Sequence, residues 1–555
     1  MMESSPNATP VRARYFNQHW TWWFMVAVLA LMAMVRLSLL NFSLERDEGE
    51  YAYSGQLMLQ GIPPYQLAFN MKFPGTYAMY AVIMRLFGET PAGIHFGVTI
   101  LTTLTALMVY WLGKRMLDQT AGMVAATSYA VLAANTALFG LAGHAAHFEA
   151  FFATAGLCLM WKARQTARWQ MAGAAGIMCG VATLMKQHAA IIAVWAFGVF
   201  VWENFLKNRI TGIRAARIPA AFAVGAALPL GLCFLILWCA GVFHQFWFWT
   251  VDYARQYISI VSISDIGSQF WWSICSMASE DFWLWLPCLA GFGMIWFDER
   301  LRQTRVWLLG FTLASFLTTV PGFYFRTHYF LLTLPALGLL AGCAVSGVCE
   351  LWRRKMGATR FGQWPTGVYA LLLIFTVVKT SDVWRVFAAQ GAHALYGAEL
   401  FPEAETVAAY IRENSNPEAQ IAVLGSEPEI YFLSHRHSAT GYIYAYPLME
   451  PQPFAGAMQR EMIREIETKS PEFIVFVNQN FSWVQAPQSD VTIFRWWNDY
   501  KTNYTTVGLV EGNWPHPSQF YWGTNAAAHG KLRGIGLEIY QRNGSAPPSG
   551  VFTDK

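Results

Sequence analysis

At residues 45–53 the sequence reads Glu45-Arg46-Asp47-Glu48-Gly49-Glu50-Tyr51-Ala52-Tyr53, directly after a first hydrophobic segment at residues 20–40. Carboxylates that repel one another beside a lipid bilayer are unfavourable unless they are solvated, paired, or used to hold a cation or take a proton. The plain structural interpretation is a solvated helix start, where acids favour the N-terminal dipole. The rest of the chain decides which interpretation holds.

Composition places the chain among membrane proteins. Of its 555 residues, 55% are hydrophobic, 13% are charged and 25 are Trp. Apolar runs of about 15 to 23 residues are long enough for helices to cross roughly 30 Å of hydrocarbon. The sequence predicts eleven such helices, at residues 20–40, 93–112, 121–140, 148–161, 171–185, 189–205, 218–240, 282–297, 306–320, 329–349 and 365–387.

The basic residues of the connecting segments fall on one side of this count. They are Arg12, Arg14, Lys114, Arg115, Lys162, Arg164, Arg168, Lys207, Arg209, Arg214, Arg217, Arg300, Arg302, Arg305, Arg353, Arg354, Lys355 and Arg360. By the positive-inside rule this side, with the N-terminus, is cytoplasmic. The loops at 41–92, 140–147 and 241–281 and everything after about residue 390 are therefore predicted to lie outside. The net charge of +4 is explained by the basic residues that set this topology, so no nucleic-acid partner is expected.

Two domains are predicted. Residues 1–389 form the transmembrane domain, and its first external loop, 41–92, carries amphipathic helices near 51–60 and 75–87 on the outer membrane surface. Residues 390–555 form a soluble α/β domain, because helical patterns alternate with short apolar runs typical of strands. The helices are predicted at 403–411 and 458–468, the strands at 420–424, 472–477, 504–510 and 537–540, and a disordered tail at 545–555.

Several runs resemble the GT-C glycosyltransferases, and most closely the bacterial branch related to protein O-mannosyltransferases and lipid A aminoarabinose transferases. They are Arg46-Asp47-Glu48-Gly49-Glu50-Tyr51-Ala52, Gly61-Ile62-Pro63-Pro64-Tyr65, Lys72-Phe73-Pro74-Gly75, His147-Phe148-Glu149-Ala150-Phe151, Gly180-Val181-Ala182-Thr183-Leu184-Met185-Lys186-Gln187 and Arg326-Thr327-His328-Tyr329-Phe330. The resemblance implies a polytopic α-helical GT-C-like fold. It also implies an inverting enzyme of the bacterial inner membrane, which moves a sugar from a polyprenyl-phosphate donor to a glycan, lipid or protein acceptor at the periplasmic face.

The resemblance also implies roles for individual residues. Asp47 is expected to be the general base that takes the acceptor's proton, and Glu48 stays open as the alternative. The departing phosphate needs positive charge. The candidates that would supply it are Lys72, Lys186, Arg326 and His328.

Glu149 and His147 are expected to bind the acceptor or a metal ion. A divalent ion is the one cofactor considered, with Asp47 and Glu149 as its candidate ligands. His144, His147 and Glu149 can share one helical face, because residues three apart are neighbours on a helix. An ordinary interfacial polar patch for these residues, and cations that merely reach lipid headgroups, stay open.

A second class of function is a transporter or flippase of a lipid-linked substrate. Transporters commonly show internal repeats and polar residues near the middle of their spans. The sequence shows no internal repeat, and its unusual polar residues concentrate at one predicted face. The pattern therefore favours chemistry at the membrane surface.

Overall fold

The computed structural model describes residues 11–207, 213–356 and 363–544. The predicted tail at 545–555 lies outside the described residues, and so do Arg209 and Arg360 of the predicted basic segments. Up to residue 400 the described chain is helical, and a mixed β-sheet follows.

The helical part confirms that the chain is a multi-pass membrane protein. Its main helices are Val11–Ser38, Arg46–Leu59, Gly75–Phe87, Pro91–Met116, Gln119–Leu132, Ala145–Thr166, Trp169–Met185, Ala190–Val201, Ile213–Cys239, Ile266–Phe297, Arg305–Leu317, Leu334–Met356 and Trp364–Gln390. Among the described residues, six helices are long and apolar enough to cross a membrane, and two more are apolar but shorter. The count of eleven spans and their orientation stay predictions.

One predicted span is wrong in its extent. The helix that begins at Gln119 ends at Leu132, whereas the sequence predicted a span to residue 140. The chain can turn here because Arg36 supplies hydrogen bonds to backbone carbonyl groups that a continued helix would otherwise satisfy. Its Nη2 donates to the carbonyl oxygens of Ala133 and Gly140, each at 2.7 Å. The resulting turn carries the chain to His144, immediately before the next helix.

The C-terminal sheet has six strands: β1 (Gln420–Leu424), β2 (His437–Ser438), β3 (Phe473–Asn478), β4 (Tyr504–Glu511), β5 (Gln519–Trp522) and β6 (Gly536–Arg542). Their order is β2-β1-β3-β6-β4-β5. Strand β1 pairs in parallel with β2 and β3, and the remaining pairs are antiparallel. Ile421 lies opposite Phe473, which in turn lies opposite Gln541.

Helices cover this sheet, as alternation of helix and strand predicts. The longer ones are Phe401–Asn414, Ala455–Lys469 and Thr492–Tyr500, and Glu429–Ser434 is a shorter one. The four predicted strands and the two predicted helices are confirmed. Strand β2 has only two residues and β5 only four, which is too short for a readable alternation, and both were missed. The domain boundary at residue 390 stays a prediction.

The predicted first external loop, residues 41–92, begins with a capped helix. Glu45 caps Arg46–Leu59: its carboxylate accepts from the backbone N–H groups of Asp47 and Glu48, each at 3.0 Å, and Glu48 Oε2 accepts from the Glu45 N–H at 3.2 Å. This reciprocal capping starts the helix earlier than predicted and fixes Asp47 in its first turn.

The same helix is enclosed by protein instead of being exposed along a membrane surface. Its residues from Glu48 to Leu57 are buried, because the helices Gly75–Phe87 and Glu429–Ser434 pack against it. The C-terminal region therefore lies directly on the loop that carries the acidic run.

Candidate active site

A cavity of about 550 Å³ lies between the loop at residues 41–92, the ends of several membrane helices and the C-terminal region. We call it the Asp47 cavity. Five of the eight predicted site residues line it: Asp47, Lys72, Lys186, Arg326 and His328. Residues far apart in the sequence thus meet in one place, as the resemblance implied.

Asp47 has one engaged and one free carboxylate oxygen. Its Oδ1 accepts hydrogen bonds from Lys72 Nζ and from the Tyr444 hydroxyl, both at 3.0 Å. Its Oδ2 lies 3.7 Å from His144 Nδ1. Burial would raise the pKa of Asp47, but the Lys72 ammonium and then the His144 imidazole outweigh it, so the pKa lies well below its ordinary value. Asp47 is therefore ionised at neutral pH.

Glu48 has the opposite environment. It is fully buried, and its Oε1 accepts from the backbone N–H of Gly143 and lies 3.1 Å from His95 Nε2. Its other oxygen is engaged in the cap with Glu45. Glu48 does not line the Asp47 cavity, and its contacts join the first loop to the turn before His144.

Lys72 is matched by two carboxylates. Its Nζ donates to Glu50 Oε2 at 2.7 Å as well as to Asp47, and it lies 4.5 Å from the centre of the Tyr51 ring. Glu50 is fully buried and also accepts from the Tyr77 hydroxyl at 2.6 Å. Because its charge is already compensated, Lys72 is better suited to holding Asp47 than to binding a phosphate by itself.

Lys186 and Arg326 line this cavity and lack a carboxylate partner in the described part of the chain, as does Arg255. Lys186 Nζ lies 3.7 Å from the centre of the Tyr329 ring, and the Arg326 guanidinium lies 5.5 Å from that of Tyr324. In the described part of the chain, no carboxylate lies within ion-pair distance of either. An anionic group entering the cavity would meet both charges uncompensated.

His144 and His328 stack beside Asp47. Their rings are parallel, with centroids 4.4 Å apart, and ligand atoms of Asp47, His144 and His328 lie within 4.8 Å of one another. Neither nitrogen of His144 has a hydrogen-bond partner among the described residues, and burial lowers its pKa to about 4. A neutral imidazole is the form that binds metal. Two imidazoles and one carboxylate suit a divalent ion such as Zn²⁺.

The residues predicted around the start of the Ala145–Thr166 helix do not form one group in the structure. The predicted shared face of His144, His147 and Glu149 is wrong, because the helix begins at Ala145 and leaves His144 outside it, free to turn towards Asp47. His147 does not line the cavity; it contacts the backbone of Gly140 and Ala142. Glu149 lies behind the cavity wall, 3.0 Å from Nε2 of His188, which does line it.

Sequence reasoning missed what the C-terminal region contributes. Three residues of this region line the cavity: Tyr444, Tyr446 and Glu450. Tyr253, from the predicted loop at residues 241–281, donates its hydroxyl proton to Glu450 Oε2. The one available signal was the alternation of tyrosines in residues 441–447. That pattern resembles a half-buried strand, and nothing in it indicates a partner elsewhere in the chain.

Known proteins share this architecture. A family model described as dolichyl-phosphate-mannose-protein mannosyltransferase matches residues 72–238. The crystal structure of ArnT from Cupriavidus metallidurans bound to undecaprenyl phosphate superposes with a TM-score of 0.56 at 16% identity, covering 85% of this chain and 95% of that one. The chain therefore contains a segment that matches this mannosyltransferase family, and it shares its fold with ArnT. The resemblance stated from the sequence motifs is thereby confirmed.

Two further proteins are similar to this one. An undecaprenyl phosphate-alpha-4-amino-4-deoxy-L-arabinose arabinosyl transferase of Sodalis glossinidius is 30% identical over 190 residues, which is 32% of this chain. The match spans 34% of that relative's length. The Archaeoglobus fulgidus oligosaccharyltransferase in complex with Zn and sulfate has a TM-score of 0.53 at 14% identity, covering 90% of this chain and 73% of that one.

Proposed function

We propose that this protein is an inverting glycosyltransferase of the GT-C type with Asp47 as its general base. It would move a sugar from a polyprenyl-phosphate donor to a cell-envelope acceptor at the periplasmic face of a bacterial inner membrane. One observation carries the proposal: a single cavity holds an ionised carboxylate with a free oxygen together with cations, among them Lys186 and Arg326, that have no carboxylate partner among the described residues. The names of the relatives, which include undecaprenyl-phosphate-dependent transferases, agree with this donor class.

The donor phosphate would bind between Lys186 and Arg326. Both cations lie in the cavity wall, and a phosphate placed there would gain charge-assisted hydrogen bonds from each. Trp249, Tyr253 and Tyr257 form an aromatic wall next to them, suited to the apolar faces of a sugar or to the start of a prenyl chain.

The chemistry needs one proton acceptor and one stabilised leaving group. An acceptor hydroxyl or amine attacks the anomeric carbon, and Asp47 Oδ2 takes its proton as the new bond forms. The bond between the anomeric carbon and the phosphate oxygen breaks from the opposite side, which inverts the configuration. The polyprenyl phosphate leaves with the bonding electron pair, and Lys186 and Arg326 stabilise its charge.

Asp47, His144 and His328 would also hold a divalent ion, which would supply positive charge for the leaving phosphate. The free oxygen of Asp47 cannot both coordinate an ion and take the proton. The role as base therefore predicts that activity persists after EDTA treatment. Loss of activity in EDTA, restored by Zn²⁺ or Mn²⁺, would instead make Asp47 a metal ligand.

Defined donors test the function itself. The full chain is reconstituted in liposomes with undecaprenyl-phosphate mannose or undecaprenyl-phosphate 4-amino-4-deoxy-L-arabinose and an envelope extract as acceptor. We expect release of undecaprenyl phosphate and a glycosylated product. Movement of an intact donor between leaflets without its cleavage would instead support the transporter alternative and refute the proposed chemistry.

The positive-inside pattern supports the proposed orientation, with the N-terminus cytoplasmic and the Asp47 cavity periplasmic. Residues 390–555 would then form a periplasmic domain. Contacts between this region and the first loop support a role in completing the site, because Tyr444 bonds to Asp47 and Arg46 donates to Glu399, Glu427 and the Tyr446 hydroxyl.

A further inference from the structure

Glu450 is an acid in a cavity that otherwise favours anions. Among the residues that line the Asp47 cavity, the acids are Asp47 and Glu450. Asp47 has Lys72 as its counter-ion, whereas no cation lies within ion-pair distance of Glu450 in the described ranges. An unmatched carboxylate weakens the binding of a phosphate. The presence of Glu450 in this wall therefore indicates that its carboxylate binds a group other than the phosphate.

The two oxygens of Glu450 differ. Oε2 accepts the hydroxyl proton of Tyr253, and Oε1 has no hydrogen-bond partner among the described residues. The side chain is partly buried in the cavity wall, so a group in the cavity can reach Oε1. Burial raises the pKa of Glu450 above its ordinary value, although the hydrogen bond from Tyr253 and the charge of Arg326 oppose this. When Glu450 is ionised, its carboxylate only accepts hydrogen bonds, so its ligand donates one.

A row of tyrosines connects Glu450 with Arg326. The rings of Tyr253 and Tyr257 lie 6.5 Å apart, and Tyr257 stacks on Tyr324 at 4.6 Å. Arg326 lies at the Tyr324 end of this row, with its guanidinium 5.5 Å from the centre of the Tyr324 ring. A sugar whose phosphate is bound at Arg326 would lie across these aromatic faces, with its ring substituents towards Glu450.

We propose that Glu450 determines which sugar is transferred, because its Oε1 accepts a hydrogen bond from a hydroxyl or ammonium substituent of the donor sugar. This inference rests on the proposed function and adds the sugar-recognising residue to it. A donor that lacks the substituent would leave the carboxylate desolvated and unpaired, and such mismatches are discriminated strongly by enzymes. The C-terminal region would thereby supply sugar specificity, while the membrane helices supply phosphate binding.

The inference is tested by binding to the full chain in nanodiscs. The probes are undecaprenyl phosphate, undecaprenyl-phosphate mannose and undecaprenyl-phosphate 4-amino-4-deoxy-L-arabinose, and the variants are Glu450→Ala and Glu450→Gln. Glu461→Gln is the matched control, because Glu461 also accepts a tyrosine hydroxyl proton, from Tyr442, but does not line the cavity.

The wild-type protein and the control should bind one sugar-carrying donor roughly ten to a hundred times more tightly than undecaprenyl phosphate. Glu450→Ala should abolish this preference, while undecaprenyl phosphate still binds, at least as tightly as before because an unmatched carboxylate is removed; this binding also shows that the site is folded. Glu450→Gln should keep the preference for a hydroxyl substituent, since its amide oxygen still accepts, and lose it for an ammonium substituent.

Two results would overturn the inference alone: a preference that survives Glu450→Ala, or an equal loss for all three probes. In both cases the wild-type protein still cleaves its donor, and the proposed function stands. If the wild-type protein binds none of the three probes and cleaves no donor, the proposed function fails and the inference fails with it.

Discussion

Asp47 and Glu48 are neighbours in the chain with opposite surroundings. Successive residues of a helix point about 100° apart, so the first turn directs Asp47 into the cavity and Glu48 into protein. Asp47 keeps one oxygen free, whereas the oxygens of Glu48 accept from Gly143 and Glu45 and contact His95. The same acidic run therefore contains a candidate catalytic group and a structural one.

Lys186 should make the binding of undecaprenyl phosphate depend on pH. Burial lowers the pKa of Lys186 to about 8, although Glu149 and Asp47 oppose this and Lys72 and Arg326 add to it. As pH rises through about 8, the free protein loses the ammonium that would bind the phosphate. We expect undecaprenyl phosphate affinity to fall between pH 7 and pH 9.5, measured by equilibrium binding in nanodiscs.

Lys186→Arg provides the comparison for this prediction. A guanidinium stays charged over this pH range, so the variant should bind with an affinity that changes little between pH 7 and pH 9.5. An equally flat profile for the wild-type protein would show that Lys186 does not carry the phosphate charge.

The sequence predicted the members of the site better than their roles. Cations at the ends of helices and an acidic run after the first span are visible locally, so Asp47, Lys186 and Arg326 could be named. The compensation of Lys72 by Glu50 could not, because it depends on which side chains the folded loop turns towards each other. Glu450 lies more than 400 residues from Asp47, and no local pattern joins them.

Gly49 sets the contact between two elements. It lies where the Arg46–Leu59 helix crosses Glu429–Ser434, and a Cβ atom there would be 2.6 Å from the backbone N of Glu429. Backbone atoms cannot move aside as a flexible side chain can. We expect Gly49→Ala to destabilise the protein by about 1–3 kcal/mol, measured as a lower Tm of the full chain in detergent.

Gly198→Ala is the matched control for this substitution. Gly198 also lies within a helix, Ala190–Val201, but a Cβ there meets nothing within 4 Å. Its Tm should stay the same or rise slightly, because alanine has the higher helix propensity. Equal Tm values for the two variants would contradict the close helix crossing.

Elements were predicted well where one period dominates the sequence. The strand at 420–424 and the helices of residues 403–411 and 458–468 are confirmed, because their apolar spacing is regular. The end of the helix at Leu132 was missed, since residues 133–140 are mostly apolar and the turn depends on contacts with other helices, such as those of Arg36.

At the scale of the whole molecule, the Asp47 cavity needs three parts of the chain. The first loop provides Asp47 and Lys72, the segments near the membrane helices provide Lys186 and Arg326, and the C-terminal region provides Tyr444 and Glu450. Buried contacts of Arg46 hold the first and last parts together. The C-terminal region is therefore part of the wall of this cavity and not a separate appendage.

We propose that Asp47, within this assembled cavity, takes the acceptor's proton. The direct test compares Asp47→Asn with Glu48→Gln by turnover of a defined undecaprenyl-phosphate sugar and by Tm. Asp47→Asn keeps an oxygen that can accept from Lys72 and Tyr444, so it should fold and bind undecaprenyl phosphate normally while turnover falls roughly 10²- to 10⁴-fold.

Glu48→Gln should show the reverse pattern. An amide nitrogen cannot accept from the surrounding donors, so the Tm should fall by an amount that corresponds to about 1–3 kcal/mol. Folded Glu48→Gln protein should nevertheless keep most of its turnover. The opposite result would be wild-type turnover by Asp47→Asn together with loss of turnover in a fully folded Glu48→Gln variant. It would refute the role of Asp47 as general base and assign that role to Glu48.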